Sequence, residues 1–155
     1  MLTAFRIFKT KFSNTWFDGE GAFLYGGRWN SRGKRVLYTA GSLSLAALEI
    51  LVNLNSAELL SSYSYAKLEF EEKDVLPVEE LVELPKNWSS SPPPSEIQRI
   101  GDEWAASMQS LVLRVPTSVV PREFNFLLNV GHTRFATIKR GKPRLFRFDE
   151  RLYSK

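Results

Sequence analysis

From Tyr63 to Phe70 the chain runs Tyr63-Ser64-Tyr65-Ala66-Lys67-Leu68-Glu69-Phe70, the two-residue alternation of a half-buried strand. Shorter apolar runs at Ala4–Phe8, Val36–Thr39 and Leu111–Val115 predict further strands, the last ended by Pro116. Phe135–Ile138 and Arg144–Phe148 predict two closing strands around a turn at Gly141. The run Ser44-Leu45-Ala46-Ala47-Leu48-Glu49-Ile50-Leu51-Val52 predicts a helix over roughly residues 43–54, capped by Ser42 or Ser44. Apolar residues cover nearly its whole circumference, which predicts burial on every side. Ser95 is expected to cap a second helix at 96–109, with Glu96 in its first turn where the helix dipole favours negative charge.

Between these elements lie a Gly-rich loop from Gly19 through Gly27 and an acidic, irregular segment at 71–91, with a short extended piece around Val75-Leu76. Ser89-Ser90-Ser91-Pro92-Pro93-Pro94 is a surface loop, because proline lacks the N–H that a helix or sheet needs. It is too short to link domains. The pattern reads as α+β: one unit over residues 1–155, a compact split sheet with helices on its faces.

Composition narrows the class. A length of 155 residues, 43% of them hydrophobic and 13% aromatic, suits a globular unit with a substantial core. No apolar run approaches the ~18 residues that span a bilayer, and Met1–Arg6 lacks the pattern of a signal peptide, so a cytoplasmic location without membrane contact is expected. With no cysteine there is no disulfide, no thiolate nucleophile and no Cys-based zinc site. A single histidine, His132, rules out a multi-histidine metal centre, and no metal is expected.

The net charge of +4 is unevenly placed. Residues 69–103 hold ten acids against three bases, whereas the chain from Arg134 onward holds eight bases against two acids. That basic tail suits solvent, a phosphorylated small molecule or an acidic protein; without a docking motif, direct nucleic-acid binding is not expected.

Three segments could carry chemistry. Glu49 stands inside the most apolar stretch, and a buried carboxylate must be paired, hydrogen-bonded or protonated. Arg28, in Tyr25-Gly26-Gly27-Arg28-Trp29-Asn30, is the natural partner cation; the pair reads as structural or as part of a site. Paired glycines let backbone approach a ligand, and a guanidinium grips phosphate or carboxylate through two bonds. Tyr38 precedes the turn into the helix and could stack on a planar ring or fill the core. Thr117 and Ser118, between Pro116 and Pro121, could orient ligand oxygens or close a turn. Neither a nucleophile elbow nor a His–Asp spacing supports a serine triad.

In this order, the segments resemble the RES family, the toxin half of bacterial toxin–antitoxin pairs, named for recurring Arg, Glu and Ser. The resemblance rests on Phe5-Arg6-Ile7, Gly26–Asn30, Val36–Ala40, Leu45–Val52, Gly101-Asp102-Glu103-Trp104, Leu113–Pro116 and Val120–Asn129. It implies an ADP-ribosyltransferase-like fold and an enzyme that degrades NAD+ at the nicotinamide–ribose bond, by phosphorolysis or hydrolysis. Protein ADP-ribosylation and a non-catalytic binding module stay open beside it. The family Arg falls on Arg28 and the family Glu on Glu49. The family Ser falls on Thr117 or Ser118, with Tyr38 as a further catalytic candidate. Arg6, Tyr25, Gly27, Trp29, Asn30 and Asn129 are the expected NAD+ contacts. Nothing beyond NAD+ and inorganic phosphate is required as cofactor, and the expected partner is an Xre-like antitoxin that occludes the site.

Overall fold

The computed structural model describes residues 1–55 and 57–154. The strands are β1 (Leu2–Lys9), β2 (Val36–Ala40), β3 (Tyr63–Phe70), β4 (Val75–Pro77), β5 (Val112–Pro116), β6 (Phe124–Asn129), β7 (Lys139–Arg140) and β8 (Arg144–Phe146). They join in one sheet ordered β4-β5-β6-β2-β1-β3-β7, with β8 also on β3. All pairs are antiparallel except β4–β5. Among the described residues three α-helices accompany them: α1 (Glu20–Tyr25), α2 (Leu43–Leu51) and α3 (Ser95–Ser107). The class is α+β.

The sheet is split in its middle. β1 and β3 stay in register along eight pairs, from Leu2↔Phe70 to Lys9↔Tyr63, and β2 and β6 along five. β1 and β2 register only at Phe5↔Ala40. Alternation sorts the side chains to two faces. One face, with Ala4, Phe8, Leu37, Leu68 and Leu128, closes over Trp16, Phe17 and Ile138. The other carries two separate packing layers. α3 and Trp29 cover Val36, Leu113, Val115 and Leu127, whereas α2 covers Ile7, Ala40 and Tyr63. The seam between these layers crosses β2 between Tyr38 and Ala40 and meets β6 at Asn125, which pairs with Ala40.

Five expectations change. α2 ends at Leu51 and is not enclosed: only Leu45 and Ala46 are buried, and Leu48 and Val52 are 39% and 60% exposed. It touches the sheet along one side, so its apolar circumference overstated its burial. Phe135–Ile138 is no strand; Phe135–Thr137 form a 3-10 turn, held by Thr137 N–H and its hydroxyl donating to the Arg134 carbonyl. Residues 120–129, for which the sequence predicts no element, contain the central strand β6. The Gly-rich loop contains α1, and the cap position of α3 falls on Pro94, with Ser95 as its first residue.

Candidate active site

Glu49 lies on α2, half-buried at the edge of the seam. Two donors converge on one of its oxygens. Thr117 Oγ1 donates to Glu49 Oε1 at 2.5 Å, and Asn125 Nδ2 donates to the same atom at 2.8 Å. Thr117 Oγ1 also accepts from the Val119 N–H at 3.0 Å, and its proton is given to the carboxylate. The Thr117 backbone N–H donates to the Glu123 carbonyl, so the turn between β5 and β6 fixes where the hydroxyl stands. Among the described residues, Glu49 Oε2 accepts no hydrogen bond. The carboxylate therefore has one oxygen anchored to the sheet side and one with its acceptor capacity open.

Arg28 does not pair with Glu49. Its Nη1 donates to the carbonyls of Trp88 (3.0 Å) and Ser90 (2.7 Å), and its Nε and Nη2 have no partner among the described residues. The physical reason is that the anchors of Glu49 are neutral groups from the sheet, so the carboxylate needs no adjacent cation to be solvated.

The loop holding Arg28 is built tightly. Gly27 N–H donates to the Asn30 carbonyl, folding residues 27–30 into a short bridge. A Cβ on Gly27 would sit 2.6 Å from the Tyr38 hydroxyl oxygen. That hydroxyl donates to Asn30 Oδ1 at 2.7 Å and accepts from the Trp29 N–H at 2.9 Å. Burial, the largest effect, pushes the Tyr38 phenol above its usual range, so it remains protonated and holds the loop. Asn30 donates through Nδ2 to the carbonyls of Ala22, Ser31 and Lys34 and is fully buried. α3 grips the other side. Asp102 accepts from Ser31 N–H and its hydroxyl (3.0 and 2.6 Å), Gln98 donates to the Gly27 carbonyl, and Gly101 lies flush against the Trp29 carbonyl.

The sequence-predicted residues thus divide. Glu49 and Thr117 meet directly, and Ser118 is exposed with no hydrogen bond to Glu49. Arg28 projects from a loop that Gly27, Tyr38 and Asn30 stabilise. The Trp29 ring is buried in the α3 layer and does not face the seam. Asn129 is buried at the far end of β6, donating to the Ala105 carbonyl and accepting from the Gly131 N–H. Tyr25 is 76% exposed at the end of α1. Arg6 alternates onto the face of Ala4 and Phe8, away from Glu49, where its Nη1 donates to the Tyr38 carbonyl in the gap between β1 and β2. Burial lowers its guanidinium to about 10, with Asp18 opposing, and its Nε is buried without a partner among the described residues. The sequence reading omitted Asn125, Gln98 and Asp102. No sequence signal pointed to Asn125: its apolar same-face neighbours, Ala40, Val115 and Leu127, are set by the strand register.

A family model described as the RES domain matches residues 3–149. The chain belongs to the RES domain family. A relative named Toxin Res, from Yersinia enterocolitica, is 39% identical over 149 residues, covering 96% of this chain and 97% of its own length. A protein from Sphingobium sp., named Prs ADP-ribosylating toxin, is 34% identical over 140 residues, covering 89% and 87%. By these relationships the chain is a RES-type toxin. The toxin in the crystal structure of the Mycobacterium tuberculosis MbcT–MbcA toxin–antitoxin complex has the same fold, with a TM-score of 0.75 over 94% of this chain and 84% of that one, at 18% identity. No helix among the described residues of this RES protein is long and apolar enough to cross a membrane.

Proposed function

We propose that this RES toxin breaks the bond between nicotinamide and ribose in NAD+. The observation that carries the reading is the half-anchored carboxylate: Glu49 Oε1 holds both protein donors, and Oε2 is open at the seam. As the C1–N bond breaks, its electron pair leaves with nicotinamide and positive charge develops on the ribose, as in glycoside hydrolysis. A fixed carboxylate facing that carbon stabilises the charge most strongly where water is scarce. An oxygen of phosphate or water then bonds to C1; water releases a proton in doing so. Arg28, with Nε and Nη2 open, holds the pyrophosphate or the incoming phosphate. Tyr25, exposed one residue before the Arg28 loop, flanks the nicotinamide.

The deciding variant is Glu49→Gln. Its amide oxygen can still accept from Thr117 and Asn125, so the fold is retained while the charge is lost. NAD+ consumption is expected to fall to background with an unchanged melting midpoint. A folded Glu49→Gln protein of full activity would refute the assignment. Products identify the acceptor: ADP-ribose marks hydrolysis, its 1″-phosphate marks phosphorolysis, and labelled protein marks transfer. The Sphingobium relative's name favours transfer as the second reading.

The partner on this reading is a cognate antitoxin, as in the solved complex that shares the fold, of Xre type, covering the Glu49 seam in the cytoplasm. Co-expression with the neighbouring open reading frame is expected to restore growth that the toxin alone arrests.

A further inference from the structure

Asn125 makes the second bond to Glu49, and its surroundings suit a packing residue poorly. Its neighbours on the same face of the sheet, Ala40, Val115 and Leu127, are apolar, and a small or branched aliphatic side chain would fill the place. The amide instead leaves its own Oδ1 buried without a donor among the described residues. Its orientation is dictated by chemistry: an ionised Glu49 only accepts, so Nδ2 must face Oε1 and the carbonyl oxygen must turn away. A buried acceptor without a partner is unfavourable, so the amide at this position is set against stability and in favour of the bond it donates.

The bond has a distinct geometric effect. α2 carries Glu49 on a helix that meets the sheet along one side, and Leu48 beside it is exposed. The Glu49 side chain is therefore not held by packing from its own helix. Thr117, from the turn after β5, and Asn125, from β6, approach one oxygen from separate elements, 68 and 76 residues away in sequence. One donor leaves the carboxylate free to swing about that bond. Two donors on Oε1 fix its plane, and with it the direction of Oε2.

We infer that Asn125 is a positioning residue, which with Thr117 sets the Glu49 carboxylate with Oε2 turned toward the reacting ribose. The inference rests on the reading of Glu49 given above. Steady-state NAD+ consumption and melting midpoints of the wild type, Glu49→Gln, Asn125→Ala and Asn125→Asp test both together. Asn125→Ala removes the unpartnered oxygen along with the donor. Its kcat is expected to fall roughly 10- to 100-fold, the size of a ~1 Å misplacement of a reacting group. Its KM for NAD+ and its melting midpoint are not expected to worsen.

Asn125→Asp sets a second carboxylate against Oε1. Its kcat is expected to rise relative to wild type as the pH is lowered, because a protonated Asp can donate as the amide does. This arm decides the matter if Asn125→Ala does not fold. An inactive Glu49→Gln beside an Asn125→Ala of wild-type kcat overturns the positioning role alone. So does an Asn125→Asp pH profile parallel to wild type. A wild type that consumes no NAD+, or consumes it no faster than Glu49→Gln, overturns the reading of Glu49 and this inference with it.

Discussion

Thr117 and Ser118 are adjacent hydroxyls with different surroundings. Thr117 is buried, and its Oγ1 is placed by the Val119 N–H so that its proton points at Glu49; Ser118 faces solvent. Thr117→Val keeps the shape and removes the donor, and a tenfold or greater loss of NAD+ turnover is expected, in line with removal of one charge-assisted bond at a reacting group. Ser118→Ala is expected to turn over at close to the wild-type rate in the same assay. The sequence left the two hydroxyls equivalent, because the choice depends on the turn between Pro116 and Phe124, whose shape no local pattern encodes. Glu49 was legible as a polar group inside an apolar run. Its partners were not. Proximity in sequence suggested Arg28, but folding supplied Thr117 from a turn and Asn125 from a strand that the chain reaches much later.

At the scale of elements, α3 acts on the site without touching Glu49. Gln98, Gly101 and Asp102 recur at helical spacing and meet the 27–31 loop from one side. A Cβ on Gly101 would lie 1.7 Å from the Trp29 carbonyl oxygen, a backbone atom that cannot swing aside. Gly101→Ala should destabilise the protein by about 1–3 kcal/mol, measured by urea unfolding, and should raise the KM for NAD+ by displacing Arg28.

β3, β5, α3 and the extended piece at β4 were readable from alternation, proline punctuation and the acidic first turn at Glu96. β6 was obscured because a central strand covered on both faces loses its two-residue rhythm: Phe126-Leu127-Leu128 is a continuous buried run. α1 was obscured because its six residues are flanked by glycines that read as loop. Phe135 and Ile138 are apolar like strand residues, but the Thr137 hydroxyl bond to Arg134 closes a helical turn between them.

For the whole molecule, the split between β1 and β2 has an electrostatic side. Arg6 lies half-buried in the gap, and no carboxylate lies within ion-pairing distance of it among the described residues. Burial lowers its guanidinium to about 10, below that of the unfolded chain. Below pH 10 both states hold the proton and the group adds no slope. From about 10 upward the unfolded chain binds more protons than the folded one, so this group's contribution to stability rises with pH. Relative to Arg6→Met, the wild-type urea midpoint is expected to climb from about pH 10 upward; parallel midpoints would show a guanidinium of ordinary acidity.

The split itself was anticipated from the short strands, but its position was not, since it depends on the single β1–β2 register pair at Phe5↔Ala40. The placement of β6 between β2 and β5 has one more consequence. A ribosome delivers Glu49 early and its two anchoring donors only after residues 117 and 125, so an incomplete translation product carries the acid with nothing to aim it. If Glu49 acts as proposed, the poison is armed last.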